Sequence, residues 1–140
     1  MGISTDAILC YGIQVEDLDE RVLSEPYPEL PDDLLAQLQE DFSADELLAA
    51  LYGWRPSAED PYAWSALKTL PVALEPHCSE EHRRHVLTIP SSVTRAYRGY
   101  PESIENLNVE SQWDKVLQDA CRRLGLTYTQ PRWWLQSELG

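Results

Sequence analysis

Three histidines and a cysteine lie within nine residues near the middle of the chain: His77, Cys78, His82 and His85. Imidazole nitrogen and thiolate sulfur are the ligands that zinc prefers, so this set has the composition of a small metal site. His77 and Cys78 are adjacent, however, and adjacent side chains of an extended chain point to opposite faces. A Cys78 nucleophile with a histidine base fits the same residues, but no oxyanion donors can be identified beside it.

We therefore expect no metal, no cofactor and no catalytic residue in this cluster. A small metal-dependent enzyme or processing factor that uses His77–His85 is the alternative function for the chain.

Carboxylates are concentrated in the first half of the chain. Residues 1–70 contain fifteen Asp and Glu against three Lys and Arg, whereas residues 71–140 contain nine against eight. Residues 16–46 alone contain twelve acidic residues and a single basic one, Arg21. Converging carboxylates can bind magnesium for nuclease chemistry, but a phosphate substrate needs basic groups nearby. A surface of this charge instead repels nucleic acid and anionic lipid, and it attracts basic surfaces of other proteins.

The acidic segment predicts a binding site for a host protein with a basic surface, without direct contact to nucleic acid or membrane. The candidate partner-binding residues are Glu16, Asp17, Asp19, Glu20, Asp32, Asp33, Glu40, Asp41, Asp45 and Glu46. The alternative is that a solvated acidic face only keeps the protein in solution.

Arginine and aromatic side chains are interleaved in the second half. The set comprises Arg83, Arg84, Arg95 and Arg98 together with Tyr97, Tyr100 and the more distant Trp64. Such a mixture can bind single-stranded nucleic acid by stacking. Since the whole chain carries a net charge of −13, we expect these arginines to pair with the protein's own acidic half instead. Trp133 and Trp134 are adjacent, so one of them faces outward from a strand and is either covered or available to a partner.

Composition indicates one folded domain over residues 1–140, because 43% of the residues are hydrophobic and 25% are charged. No apolar run approaches the roughly 20 residues of a membrane span, and no secretory signal is visible. The three cysteines are an odd number, which does not suit a disulfide framework. We therefore expect a cytoplasmic protein; its oligomeric state is left open.

Hydrophobic periodicity predicts an α+β fold with a small, mostly antiparallel sheet. The expected strands cover residues 7–15, 72–78, 85–90 and 132–138, and the apolar first and last strands are expected to be neighbours. A helix over 110–124 presents an apolar stripe that starts at Trp113. Residues 16–70 form an acidic, largely helical and loop insertion that includes a helical hairpin over 32–53. Gly12, inside a strand pattern, indicates a bulge or a close backbone approach.

The two ends of the chain carry a resemblance to a known family. The opening residues 3–12, ISTDAILCYG, and the segment WWLQS at 133–137 resemble a family of small uncharacterised proteins encoded by bacteriophages and prophages. His77-Cys78-Ser79, Arg98-Gly99-Tyr100-Pro101 and Trp113-Asp114 add to the match. The resemblance implies a phage or prophage accessory protein and carries over no catalytic residue, cofactor or partner.

Charge and resemblance together favour a non-enzymatic protein that acts by protein–protein interaction in the host cytoplasm. Its acidic surface would mimic nucleic acid and inhibit a host nucleic-acid-binding or defence complex, as an anti-restriction or anti-CRISPR protein does. A structural or regulatory phage protein is a further alternative.

Overall fold

The computed structural model describes residues 5–16, 18, 27–40, 43–77 and 84–139. Within these residues the fold is α+β, as the hydrophobic pattern predicted, with an antiparallel five-stranded sheet and four helices. The strands are β1 (Thr5–Val15), β2 (Ala73–His77), β3 (Arg84–Thr88), β4 (Thr94–Ala96) and β5 (Arg132–Leu139). The helices are α1 (Asp32–Glu40), α2 (Ala44–Leu51), α3 (Trp64–Leu67) and α4 (Trp113–Leu124). None of these helices has both the length and the apolar character needed to cross a lipid bilayer.

β1 is the central strand, and it organises the whole sheet. One edge of β1 pairs with β5 from Thr5 opposite Leu139 to Gly12 opposite Arg132. The expectation that the first and last strands are neighbours is therefore confirmed. The other edge is shared, because β4 pairs with residues 7–9 and β3 pairs with residues 12–15. β2 then adds to β3.

The gap between β3 and β4 is bridged by side-chain hydroxyls. A short 3₁₀ turn at Pro90–Ser92 interrupts the strand opposite Tyr11. The Tyr11 backbone N–H donates to the Ser92 hydroxyl at 3.0 Å, and the Thr88 hydroxyl donates to the Tyr11 carbonyl at 2.7 Å. The buried backbone of β1 therefore keeps its hydrogen bonds where the strand ladder is broken.

The sheet folds over on itself. Glu75 of β2 forms an ion pair with Arg95 of β4. In the strand register, Glu75 pairs with Val86 of β3, and Val86 pairs with Gln14 of β1. Arg95 pairs with Ile8 of β1. Gln14 and Ile8 are six residues apart on β1, about 20 Å along an extended strand. The two side chains meet only because the sheet bends, and the same bend brings Cα atoms of β2 within 8 Å of β5.

Gly12 is a point of close approach between β1 and β3. A Cβ at this position would overlap the Leu87 carbonyl oxygen and would lie 2.9 Å from the Thr88 Cα. The sequence expectation of a close backbone approach at Gly12 is therefore confirmed, because β3 crosses β1 at a distance that admits no side chain.

The main core lies between the helices and one face of the sheet. Tyr11, Ile13 and Val15 alternate along β1 and are buried there. α4 buries its stripe against this face, as expected, with Trp113 7% exposed and Leu117 and Leu124 fully buried. Ile8, Cys10 and Val86 are also fully buried but lie on the opposite, concave face.

The sequence analysis placed the start of this helix at residue 110, but α4 begins at Trp113. Residues 101–110 have no regular structure, a turn occupies 111–112, and every side chain from Pro101 to Gln112 is exposed. Trp113 is the first residue of the segment to reach the core, so no burial offsets the entropy of an earlier helical turn.

Candidate functional site

α1 holds three of the expected partner-binding carboxylates on its outer side. Leu34 and Leu38 are one turn apart and are buried in the core. Asp33 and Glu40 are seven residues apart and lie with Asp32 on the exposed side. Asp32 and Asp33 also occupy the first helical turn, where negative charge is stabilised by the helix dipole.

α2 also exposes a carboxylate of the expected set. The Ser43 hydroxyl accepts a hydrogen bond from the Glu46 backbone N–H at 3.3 Å, which caps the helix. Leu47, Leu48 and Leu51 are buried, so that Asp45 faces outward while Glu46 is half-buried. We call the exposed carboxylates of Asp32, Asp33, Glu40 and Asp45 the acidic helical face.

Arg123 fixes α2 to the rest of the fold. Its guanidinium donates to the Leu51 carbonyl at 3.0 Å and to the Asp119 carboxylate at 2.9 Å, and it lies 4.5 Å from the centre of the Tyr52 ring. The hydrogen bonds from Arg123 and Arg122 hold the pKa of Asp119 below its usual value. α4 therefore anchors the end of the acidic hairpin through a charged network.

The remaining expected carboxylates do not all join this face. Glu16 follows β1 and lies 3.7 Å from Arg84, and both side chains are largely exposed. An exposed pair of this kind adds little stability. Asp17, Asp19, Glu20 and Asp41 lie outside the described residues.

The histidine cluster does not converge in the part of the chain that the structure describes. His77 shares the face of Gln14, and its Nε2 lies 3.0 Å from the Gln14 Oε1. His85 is opposite Pro76, one position out of step with His77, so it points to the other face of the sheet. Cys78 and His82 lie outside the described residues. Burial, with the charge of Arg84, holds the pKa of His77 below its usual value. No group of three potential metal ligands is found among the residues described.

Arg84 and Arg95 form ion pairs within the protein, and Arg98 is also engaged within the chain. Arg84 faces Glu16, as the expectation of pairing with the acidic half predicted. Arg95 is held by Glu75, which belongs to the nearly neutral half. Arg83 lies outside the described residues.

The adjacent tryptophans lie on opposite faces, and each is half-buried. Trp133 packs with Tyr11 and Trp113, with ring centres 5.5 Å and 6.4 Å away. The Trp134 indole N–H donates to the Gly12 carbonyl at 2.9 Å. Both rings therefore have packing roles, and Trp64, which is 66% exposed, is the more accessible indole.

A groove beside β4 includes Tyr97, Arg98 and Tyr100, which the sequence analysis considered only as part of a stacking surface for single-stranded nucleic acid. It has a volume of about 410 Å³, and its lining includes Asp6, Ala7, Tyr97, Tyr100, Pro101 and Ser137. We call it the tyrosine groove. The available signal was the turn sequence Tyr97–Pro101, which places two tyrosines three residues apart.

Comparisons with known proteins leave the chain without an assigned relative. No protein-family model matches it, and no match was found among curated proteins or solved structures.

Proposed function

We propose that this chain is a bacteriophage or prophage accessory protein that works in the host cytoplasm by binding a host protein. In this proposal the acidic helical face enters the basic groove of a nucleic-acid-binding or defence complex and excludes nucleic acid from it. The protein acts as a binding partner and not as an enzyme.

The observation that carries the proposal is the way in which α1 and α2 present their charge. Their leucines are anchored in the core, and their carboxylates stand outward on short, regular helices. Asp33 and Glu40 are about 10 Å apart along the α1 axis. A rigid acidic surface loses little conformational entropy on binding, whereas a flexible acidic tail loses more.

Charge complementarity makes the proposed binding specific for a basic groove. Arg21 is the only basic residue of the sequence between 16 and 46, so a basic groove meets little repulsion there. Such complementarity accelerates association and weakens as salt screens the charges. The enzyme alternative gains no support, because His77 and His85 point to opposite faces of the sheet.

The test uses tagged protein to capture nucleic-acid-binding proteins from a nuclease-treated bacterial lysate, with identification by mass spectrometry. We expect duplex DNA to release the captured partner, because both ligands occupy one groove. Release by 0.5 M salt without release by DNA would point to non-specific charge attraction and contradict mimicry.

Matched charge reversals locate the surface. Asp32, Asp33 and Glu40 changed to Lys should abolish capture, while Glu102, Glu105 and Glu110 changed to Lys alter the net charge equally and should preserve it. Circular dichroism checks that both variants fold. If only the second variant loses the partner, the acidic helical face is not the binding surface.

A further inference from the structure

The tyrosine groove exposes two large aromatic side chains that the fold does not need for its core. Tyr97 is 56% exposed and Tyr100 is 72% exposed. The Tyr100 backbone N–H donates to the Tyr97 carbonyl at 2.8 Å, and Gly99 takes a φ of +83° in the turn between them. The closed turn therefore fixes the backbone that carries the two rings, so that this backbone loses little freedom when a ligand binds.

The chain that follows the groove begins at Pro101, which lines it, and stays exposed up to α4. Residues 101–112 are exposed throughout, and Ile104, Leu107 and Val109 are each exposed by 43–50%. Exposed aliphatic side chains grouped in this way mark interaction surfaces. The segment contains Glu102, Glu105 and Glu110 and no Lys or Arg. We call residues 101–112 the acidic arm.

We propose that the tyrosine groove and the acidic arm bind a proline-rich segment that carries basic residues. The turn pairs its own backbone groups, so the groove offers ring faces in preference to backbone donors. Proline lacks a backbone N–H, and a polyproline II helix has no internal hydrogen bonds to preserve. The proline rings of such a ligand can therefore pack on the tyrosine rings, and no backbone N–H of these prolines is left without a hydrogen-bond partner.

Charge selects among proline-rich ligands. Asp6 lines the groove, and the three glutamates of the acidic arm follow Pro101, another lining residue, along the chain. Arg98, which also lines the groove, is already engaged within the chain. Lysine or arginine at intervals along the ligand meets these carboxylates, whereas an acidic ligand is repelled. This inference does not rest on the acidic helical face.

The test measures fluorescence anisotropy of a labelled peptide of four Pro-Pro-Arg repeats at 150 mM salt. A peptide of four Gly-Ser-Arg repeats has the same charge but cannot form a stable polyproline II helix. We expect the proline peptide to bind at least about fivefold more tightly, because ring contact adds to charge. Equal affinity for the two peptides, or no binding of the proline peptide at about 1 mM, would overturn the proposal.

A matched pair of aromatic variants locates the contact. Tyr97→Ala with Tyr100→Ala should weaken proline-peptide binding at least about fivefold. Tyr62→Ala with Trp64→Ala removes rings that are 56% and 66% exposed beside α3, and it should change the affinity less than about twofold. Equal losses in the two variants would overturn the assignment. Asp32, Asp33 and Glu40 changed to Lys should leave peptide binding within about twofold, since this salt screens distant charges.

Discussion

The Tyr11 hydroxyl donates a hydrogen bond to the Asp114 carboxylate at 2.7 Å, which joins the central strand to the first turn of α4. The two residues are 103 positions apart in the chain. Trp113, the neighbour of Asp114, has its ring centre 5.8 Å from that of Tyr11. One polar contact and one aromatic contact therefore fix the orientation of α4 on the sheet.

Tyr11→Phe should alter the alkaline end of the stability profile. Burial, followed by the hydrogen bond to Asp114, raises the pKa of Tyr11 from its ordinary 10.0 to about 12. A raised folded-state pKa contributes stability that is complete below about pH 10 and declines as pH rises towards 12. Urea unfolding between pH 8 and 11.5 should show a smaller alkaline decline in Tyr11→Phe. An equal alkaline decline of stability in Tyr11→Phe and in the wild type would contradict the raised pKa of Tyr11.

Trp113→Ala should destabilise the domain by about 3–5 kcal/mol, because it empties the space beneath α4 that Tyr11 and Trp133 also border. Trp64→Ala is the control, since this indole is mostly exposed and should cost less than about 0.5 kcal/mol. Urea midpoints measure both changes. A midpoint of Trp113→Ala close to that of the wild type would contradict the packing of α4.

Gly12→Ala should destabilise by about 3 kcal/mol or more, because its Cβ would overlap the Leu87 carbonyl and force the strands apart. Gly53→Ala provides the comparison. Gly53 has a φ of +102°, but a Cβ placed on it would meet no atom within 4 Å, so only backbone strain of about 1–2 kcal/mol is expected. The midpoint temperature of thermal unfolding should be well below that of Gly53→Ala in the Gly12→Ala variant. The reverse order would contradict the close approach of β3 to β1.

Cys10 and Cys121 should resist thiol reagents in the native state. Both are buried and free, and burial raises the pKa of Cys10 to about 11 and also raises that of Cys121. The thiolate is the reactive form, so both remain inert at pH 8 until the fold opens. Ellman titration of Cys78→Ser isolates these two thiols. Rapid reaction of either one without denaturant would contradict its burial.

Gln136→Leu should stabilise the protein by about 1 kcal/mol. Both amide atoms of Gln136 are buried, and neither has a hydrogen-bond partner among the described residues. An unpaired buried amide is unfavourable, and leucine has a similar size without polar atoms. A lower urea midpoint in Gln136→Leu would show that the amide has a partner, such as a buried water, on the concave face of the sheet.

Local patterns of the sequence predicted most of the elements. Alternating and helical spacing of apolar residues is a property of a few neighbouring positions, so β1, α1, α2, α4 and β5 could be placed within a few residues. The capping role of Ser43 and the turn at Gly125, where φ is +70°, follow from equally local chemistry. The acidic outer side of α1 and α2 could likewise be predicted, since their leucines occupy the buried side and the carboxylates take the exposed side.

The tertiary structure alone decided which distant residues meet. No local pattern indicates that the sheet bends until Glu75 reaches Arg95, or that adjacent strands send His77 and His85 to opposite faces. The exposure of residues 101–112 could not be predicted either, because Val109 continues the apolar spacing of α4 and yet is 43% exposed. Periodicity tells which side of a segment is apolar, whereas burial depends on whether another part of the chain arrives to cover that side.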